Sequence, residues 1–205
     1  MKTQMRFQKI LMLVTLIVAA LSFVYALAFC SGTIYQYGTL YLQSSGKERV
    51  SGAADLFLVS QYDNGILITL SIVFIVVTVL HYIAASQKRR KYYVTNYVAT
   101  GIVVLYQIIF AILLIVYVSE VFSLFNAIDR VAAEEAYLRD DFKYSTINFI
   151  MGYVLVGVVV VNAVALILNL VWKIKLMQGE KKLLEGSQVS APVESAPEVS
   201  TEEVV

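Results

Sequence analysis

Four long apolar runs, parted by polar segments of quite different character, organise this chain. They cover Ile10–Cys30, with no charge inside it, then Ile66–Ala85, Val94–Phe122 and Ile147–Trp172. About 20 mostly apolar residues suffice for a helix to cross a hydrocarbon core of about 30 Å. The richness in Ile and Val does not argue for strands. In lipid a run of this length satisfies its backbone only as a helix or in a closed barrel, and barrel strands would alternate in polarity. The pattern predicts an all-α membrane protein, a four-transmembrane-helix bundle. Its spans lie at about 10–30, 66–85, 94–122 and 147–172, with outer loops at 31–65 and 123–146. The membrane domain is 1–177, and 178–205 reads as a disordered cytoplasmic tail.

Charge placement adds a direction. Lys2, Arg6 and Lys9 precede the first run, Lys88–Lys91 join the second to the third, and Lys173, Lys175, Lys181 and Lys182 follow the fourth. Eleven of the sixteen Lys and Arg residues therefore fall on one side. The positive-inside rule makes that side cytoplasmic, with both termini inside and the cell membrane as the expected site. Tyr92, Tyr93, Tyr97 and Trp172 sit where rings favour headgroup depth. Ala26-Leu27-Ala28 also fits a signal cleavage site, but the apolar run exceeds the usual 7–15 residues of a signal core, which favours a retained helix.

The segments between runs differ. Thr33, Tyr35, Tyr37, Thr39 and Tyr41 alternate with other residues, a period of two that predicts a small β element in the first outer loop. Asp55–Tyr62 reads as a second ordered piece, strand or short helix. The alternative is an interfacial loop lying on headgroups. Either way Tyr35, Tyr37 and Tyr41 are candidates for outer contact. In the second outer loop Phe122, Phe125, Ile128 and Ala132 recur at helical spacing, so the third helix is expected to continue outward as an acidic arm. Its Asp129, Glu134, Glu135, Asp140 and Asp141 lack the glycine-bearing loop of a calcium site and have Arg130, Arg139 and Lys143 as counter-charges. Ser187–Val205 holds both prolines, four glutamates and no aromatic residue, the composition of a disordered tail.

Composition narrows the chemistry. Hydrophobic residues are 59% and charged ones 15% of the 205. Cys30 is the lone cysteine and His81 the lone histidine, so an internal disulfide, a thiolate cluster and a multi-histidine site are excluded. No phosphate loop, CxxC pair or HExxH helix occurs, and neither a cofactor, a metal nor catalysis is expected. His81 lies near the cytoplasmic end of its helix, where an interfacial hydrogen bond is the expected role.

The membrane-embedded candidates are uncharged. Gln107 and Asn162 fall near the middle of the third and fourth helices and are expected to face the interior and each other. Gly101, Gly152 and Gly157 are expected to permit close backbone approach, although no GxxxG pair occurs. The layout resembles tetraspan families such as the claudins, with four helices, inner termini and a larger first outer loop. The claudin loop's Trp and paired cysteines are absent, since Trp172 and Cys30 stand alone, so topology is all the resemblance implies. The leading expectation is a non-catalytic accessory subunit or scaffold. Its partners would be the bilayer and another membrane protein or itself, not nucleic acid. A small oligomeric channel or transporter subunit is the alternative.

Overall fold

The computed structural model describes residues 2–29, 50–86, 93–136 and 146–189. Among these every regular element is helical: α1 (Lys2–Phe29), α2 (Ala53–Ser86), α3 (Tyr93–Ala127), α4 (Arg130–Ala136) and α5 (Ile147–Val189). Four of them contain stretches long and apolar enough to cross a bilayer: Arg6–Phe29, Ala53–Ser86, Thr95–Ala127 and Ile147–Gly179. The chain is a multi-pass membrane protein built as a four-helix bundle.

Each helix outruns its apolar stretch. Hydropathy reports the thickness of hydrocarbon to be crossed, whereas a helix ends where its capping and packing end. The largest difference is at α2, which begins at Ala53 rather than Ile66, so Asp55–Tyr62 is helix continuous with the span. Leu56, Ser60, Asn64 and Leu67 carry the buried face of α2 through this polar stretch at spacings of three and four. Gly52 turns the chain into α2 with φ 84°, a left-handed conformation that costs a side-chain-bearing residue about 1 kcal/mol. The Gly52 and Val50 carbonyls then accept from Leu56 and Ala53 N–H at 3.1 and 3.2 Å.

At the other limit of the bundle α1 is helical from Lys2, through the basic stretch expected to precede it. The expected outward continuation of the third helix as one acidic arm through Ala132 is corrected: α3 stops at Ala127, where its apolar span also ends, and Ile128 and Asp129 are not helical. Asp129 then caps α4, accepting on its carboxylate from Val131 and Ala132 N–H at 3.0 and 3.3 Å. The strand-like stretch 33–42, with Tyr35, Tyr37 and Tyr41, lies outside the described residues.

Two compact units make up the chain, Met1–Leu170 and Val171–Val205. In the second, α5 runs on to Val189 with Trp172, Ile174, Lys175 and Lys182 exposed. The expectation of a disordered tail from 178 is therefore corrected: 178–189 continue the helix, since polar residues such as Gln178, Glu180 and Lys181 are good helix formers. In the first, α2 lies closest to α1 and to α3. The fourth span meets α1 and α3 mainly through large side chains. Below, the end where α1 stops and α2 starts is called distal, and the end carrying Arg6 and Lys9 basic.

The distal end is an aromatic wedge. Phe149 of α5 packs on Phe29, Phe122 and Phe125 with ring centroids 5.7, 5.0 and 5.0 Å apart, and Phe29 meets Tyr117 edge-on at 5.5 Å. Such pairs contribute about 0.5–1.5 kcal/mol each beyond burial. The same cluster extends to Val50, Ala53, Leu56, Ile128 and Ala133, which join the start of α2, the end of α3 and α4 into one small cap. The lateral surface is the reverse of a soluble protein's. Ile10, Leu80, Leu105, Val154 and Val161 stand out from it, Val161 at 69% exposure. Lipid solvates such a surface, so the hydrophobic effect does not drive these helices together, and packing and interhelical hydrogen bonds must.

Candidate functional site

Polar side chains line the interior of the bundle in a seam spaced by sevens and by threes and fours. On α1 these are Gln8, Thr15 and Ser22; on α2 Ser60, Asn64, Ser71, Thr78 and His81; on α3 Asn96, Thr100 and Gln107; and on α5 Asn162 and Asn169. All are buried. A heptad repeat keeps one face of each helix turned to its neighbours, so one substitution per two turns places a polar group inward at each level.

The hydroxyls are mostly satisfied within their own helices. Ser22, Ser71, Thr78 and Thr100 donate to the carbonyls four residues back, Val18, Leu67, Phe74 and Asn96, at 2.7–2.9 Å. Cross-links between helices use the longer groups. Gln8 Nε2 donates to Asn96 Oδ1 at 3.2 Å, joining α1 to α3 at the basic end. His81 Nε2 and Thr100 Oγ1 lie 2.9 Å apart, joining α2 to α3. Tyr106 and Tyr117 of α3 donate to the Leu70 carbonyl at 2.6 Å and to Asn64 Oδ1 at 3.4 Å, again reaching α2. Tyr25 donates to the Asn148 carbonyl at 3.1 Å, tying α1 to α5.

The predicted residues fall into three groups. Asn162 is interior, but its partner is Thr15 of α1 and not Gln107. Its Nδ2 donates to Thr15 Oγ1 at 3.0 Å. The expectation that Gln107 and Asn162 face each other is therefore corrected. Asn162 looks into the α1–α5 contact, and Gln107 lies on the α3 side. His81 is likewise corrected from the interface to the interior, at 1% exposure, because the side chain follows the buried face of α2 inward.

The three glycines divide. A Cβ on Gly152 would overlap the Tyr25 hydroxyl and come within 2.7 Å of Val118 Cγ2, so the glycine makes room for the Tyr25–Asn148 bond. Gly101 and Gly157 are corrected: nothing lies within 4 Å of a Cβ at either, and both face outward. Close approach needs a partner helix opposite the glycine, which spacing on one helix does not reveal. Tyr35, Tyr37 and Tyr41 are outside the described residues.

Gln107 is the exception within the seam. It is fully buried, and neither its amide N–H groups nor its carbonyl oxygen has a hydrogen-bond partner among the described residues. It lines one end of a cleft of about 360 Å³ between α3 and α5, whose other walls are aliphatic, among them Ala111, Ile115, Val160, Ala163 and Ile167. A second groove, about 410 Å³ between α1 and α5, includes Asn162 and Gly157. At the distal end Asp63 and Glu120 share a smaller depression of about 130 Å³ with Tyr117 and Leu67. The residues missed from sequence are Thr15, Asn64, Ser71, Thr100 and the aromatic wedge. The seven-residue spacing of Asn64, Ser71 and Thr78 was the available signal for part of them. No family model matches this chain, and neither the curated proteins nor the solved structures contain one significantly similar to it.

Proposed function

We propose that this is a non-catalytic accessory subunit or scaffold of a membrane complex, acting through protein contacts in the cell membrane with both termini cytoplasmic. The observation that carries the reading is the closed seam. Gln8 with Asn96, Thr15 with Asn162, Asn64 with Tyr117 and His81 with Thr100 are hydrogen-bonded to one another across helices. Each such bond contributes about 0.6 kcal/mol, up to about 1.7, to holding helices together, which supports a packing role for the seam. The charge bias of the basic loops supports the orientation. The distal cap supports the contact role: it adds helical length beyond what a bilayer requires. Partner recognition by this cap needs neither a cofactor nor nucleic acid.

A second reading, a small channel or transporter subunit working as an oligomer, is favoured by Gln107, whose amide is not spent within one chain. Cross-linking in native membranes with a photoreactive residue at Leu58 or Tyr62, both exposed near the distal end of α2, separates the two. Covalent capture of one defined, different polypeptide in stoichiometric yield supports the accessory reading. Capture of only this chain, together with solute flux in reconstituted liposomes, overturns it.

A further inference from the structure

Gln107 and Asn162 are amides at comparable depth on adjacent helices, each beside a groove of similar volume. Only one of them is satisfied. Asn162 is bonded to Thr15, and the α1–α5 groove it borders asks for nothing but hydrocarbon. Gln107 is buried without a partner at the end of the α3–α5 cleft. A buried primary amide left unpaired is costly enough that a fold retaining one calls for an explanation.

The cleft's shape and chemistry narrow the explanation. Along α3 its lining runs from Gln107 to Ile115, which at 1.5 Å per residue is about 12 Å. A cleft of 360 Å³ is within the size range of small-molecule sites, about 300–1,000 Å³. Among the described residues no ionisable side chain lines it, so a charged headgroup finds no counter-charge from them there. On α3 Gln107 sits at one end, and the aliphatic lining runs from it toward the distal end. An occupant that satisfies the Gln107 amide must project a polar group to that end of the cleft.

We propose that the α3–α5 cleft binds an uncharged, membrane-soluble amphiphile, with a single hydroxyl or carbonyl held by the Gln107 amide and an apolar body along Ala111, Ile115, Val160 and Ala163. Gln107 supplies a donor to a carbonyl, or both donor and acceptor to a hydroxyl. The three torsions of its side chain give the amide freedom to turn toward the cleft. The aliphatic walls replace lipid around the body, so the amide bond provides the selectivity.

The full chain in phosphatidylcholine liposomes tests this with two photoreactive probes. One is a long-chain primary alcohol bearing a diazirine and a terminal alkyne, and the other is the same chain without the hydroxyl. Adducts are mapped by mass spectrometry. The alcohol should label 108–115 and 156–167 saturably, in competition with unlabelled alcohol, and at least fivefold above the hydrocarbon. The α1–α5 groove should take up both probes equally. Gln107→Leu should lower alcohol labelling of the cleft about fivefold, toward the level of the hydrocarbon, and leave hydrocarbon labelling unchanged. Equal labelling by both probes on the unaltered chain overturns the proposal without relying on any variant. So does saturable alcohol labelling that survives Gln107→Leu. A photoreactive residue at Ile112 that captures another polypeptide in native membranes also overturns it, in favour of a partner helix in the cleft.

Discussion

Replacing Gln107 with leucine should stabilise the empty bundle, the opposite of what deleting a buried polar group usually does. In the unliganded fold the amide is fully buried with neither its N–H groups nor its oxygen bonded. Such a group costs about 1–3 kcal/mol in lost solvation. Leucine removes that cost with a similar volume, and volume-conserving changes in a core cost less than about 1.5 kcal/mol in repacking. The net expectation is a gain of about 1 kcal/mol. Asn162→Leu is the matched control. Here the amide is bonded to Thr15, so the same chemical change removes an interhelical bond and should cost about 0.6–1.7 kcal/mol. Reversible unfolding of delipidated protein in bicelles, read by steric trapping, measures both. The reasoning is refuted if Gln107→Leu destabilises as much as Asn162→Leu, because Gln107 would then have a structural partner in the folded bundle.

Further expectations follow from particular contacts. Gly152→Ala should destabilise by about 1–3 kcal/mol, since its Cβ meets the Tyr25 hydroxyl and Val118, while Gly157→Ala should be neutral or slightly stabilising; thermal melts in one detergent compare them. A double-mutant cycle on Thr15→Val and Asn162→Leu should return a coupling of about 0.6–1.7 kcal/mol, and a value near zero contradicts the α1–α5 bond. Phe149→Ala should cost about 3 kcal/mol or more, because one ring serves three aromatic neighbours; the same unfolding assay reads it.

The four spans were legible because lipid demands an uninterrupted apolar length, which a linear reading detects directly. Their ends were not. The stretch from Ala53 to Gly65 carries Asp55, Gln61, Asp63 and Asn64, and hydropathy reads it as loop, yet its inward positions keep helical spacing. The interior was half legible. Gln107 and Asn162 stand out as polar residues in apolar runs, but their pairing depends on how the helices are rotated, and Asn162 turned out to face α1. Thr15, Ser71 and Thr78 attract no attention singly, because a hydroxyl bonded to its own helix is tolerated almost anywhere in a span. The aromatic wedge left the weakest trace. With apolar residues on both the lipid and the core faces, Phe29 and Phe149 look no different from Phe7, which faces outward.

Thiol accessibility along the seam is the most direct test of a closed, hydrogen-bonded interior. With Cys30 first replaced by serine, single cysteines at Asn64, Ser71 and Thr78 on α2 sample successive depths of the buried face. In liposomes a membrane-impermeant thiol reagent should leave Ser71→Cys and Thr78→Cys unmodified from either side, while Leu58→Cys, exposed near the distal end of α2, reacts fully. Rapid modification at Ser71→Cys would reveal an aqueous path through the bundle, and the seam would then be the lining of a channel rather than the packing surface of a scaffold.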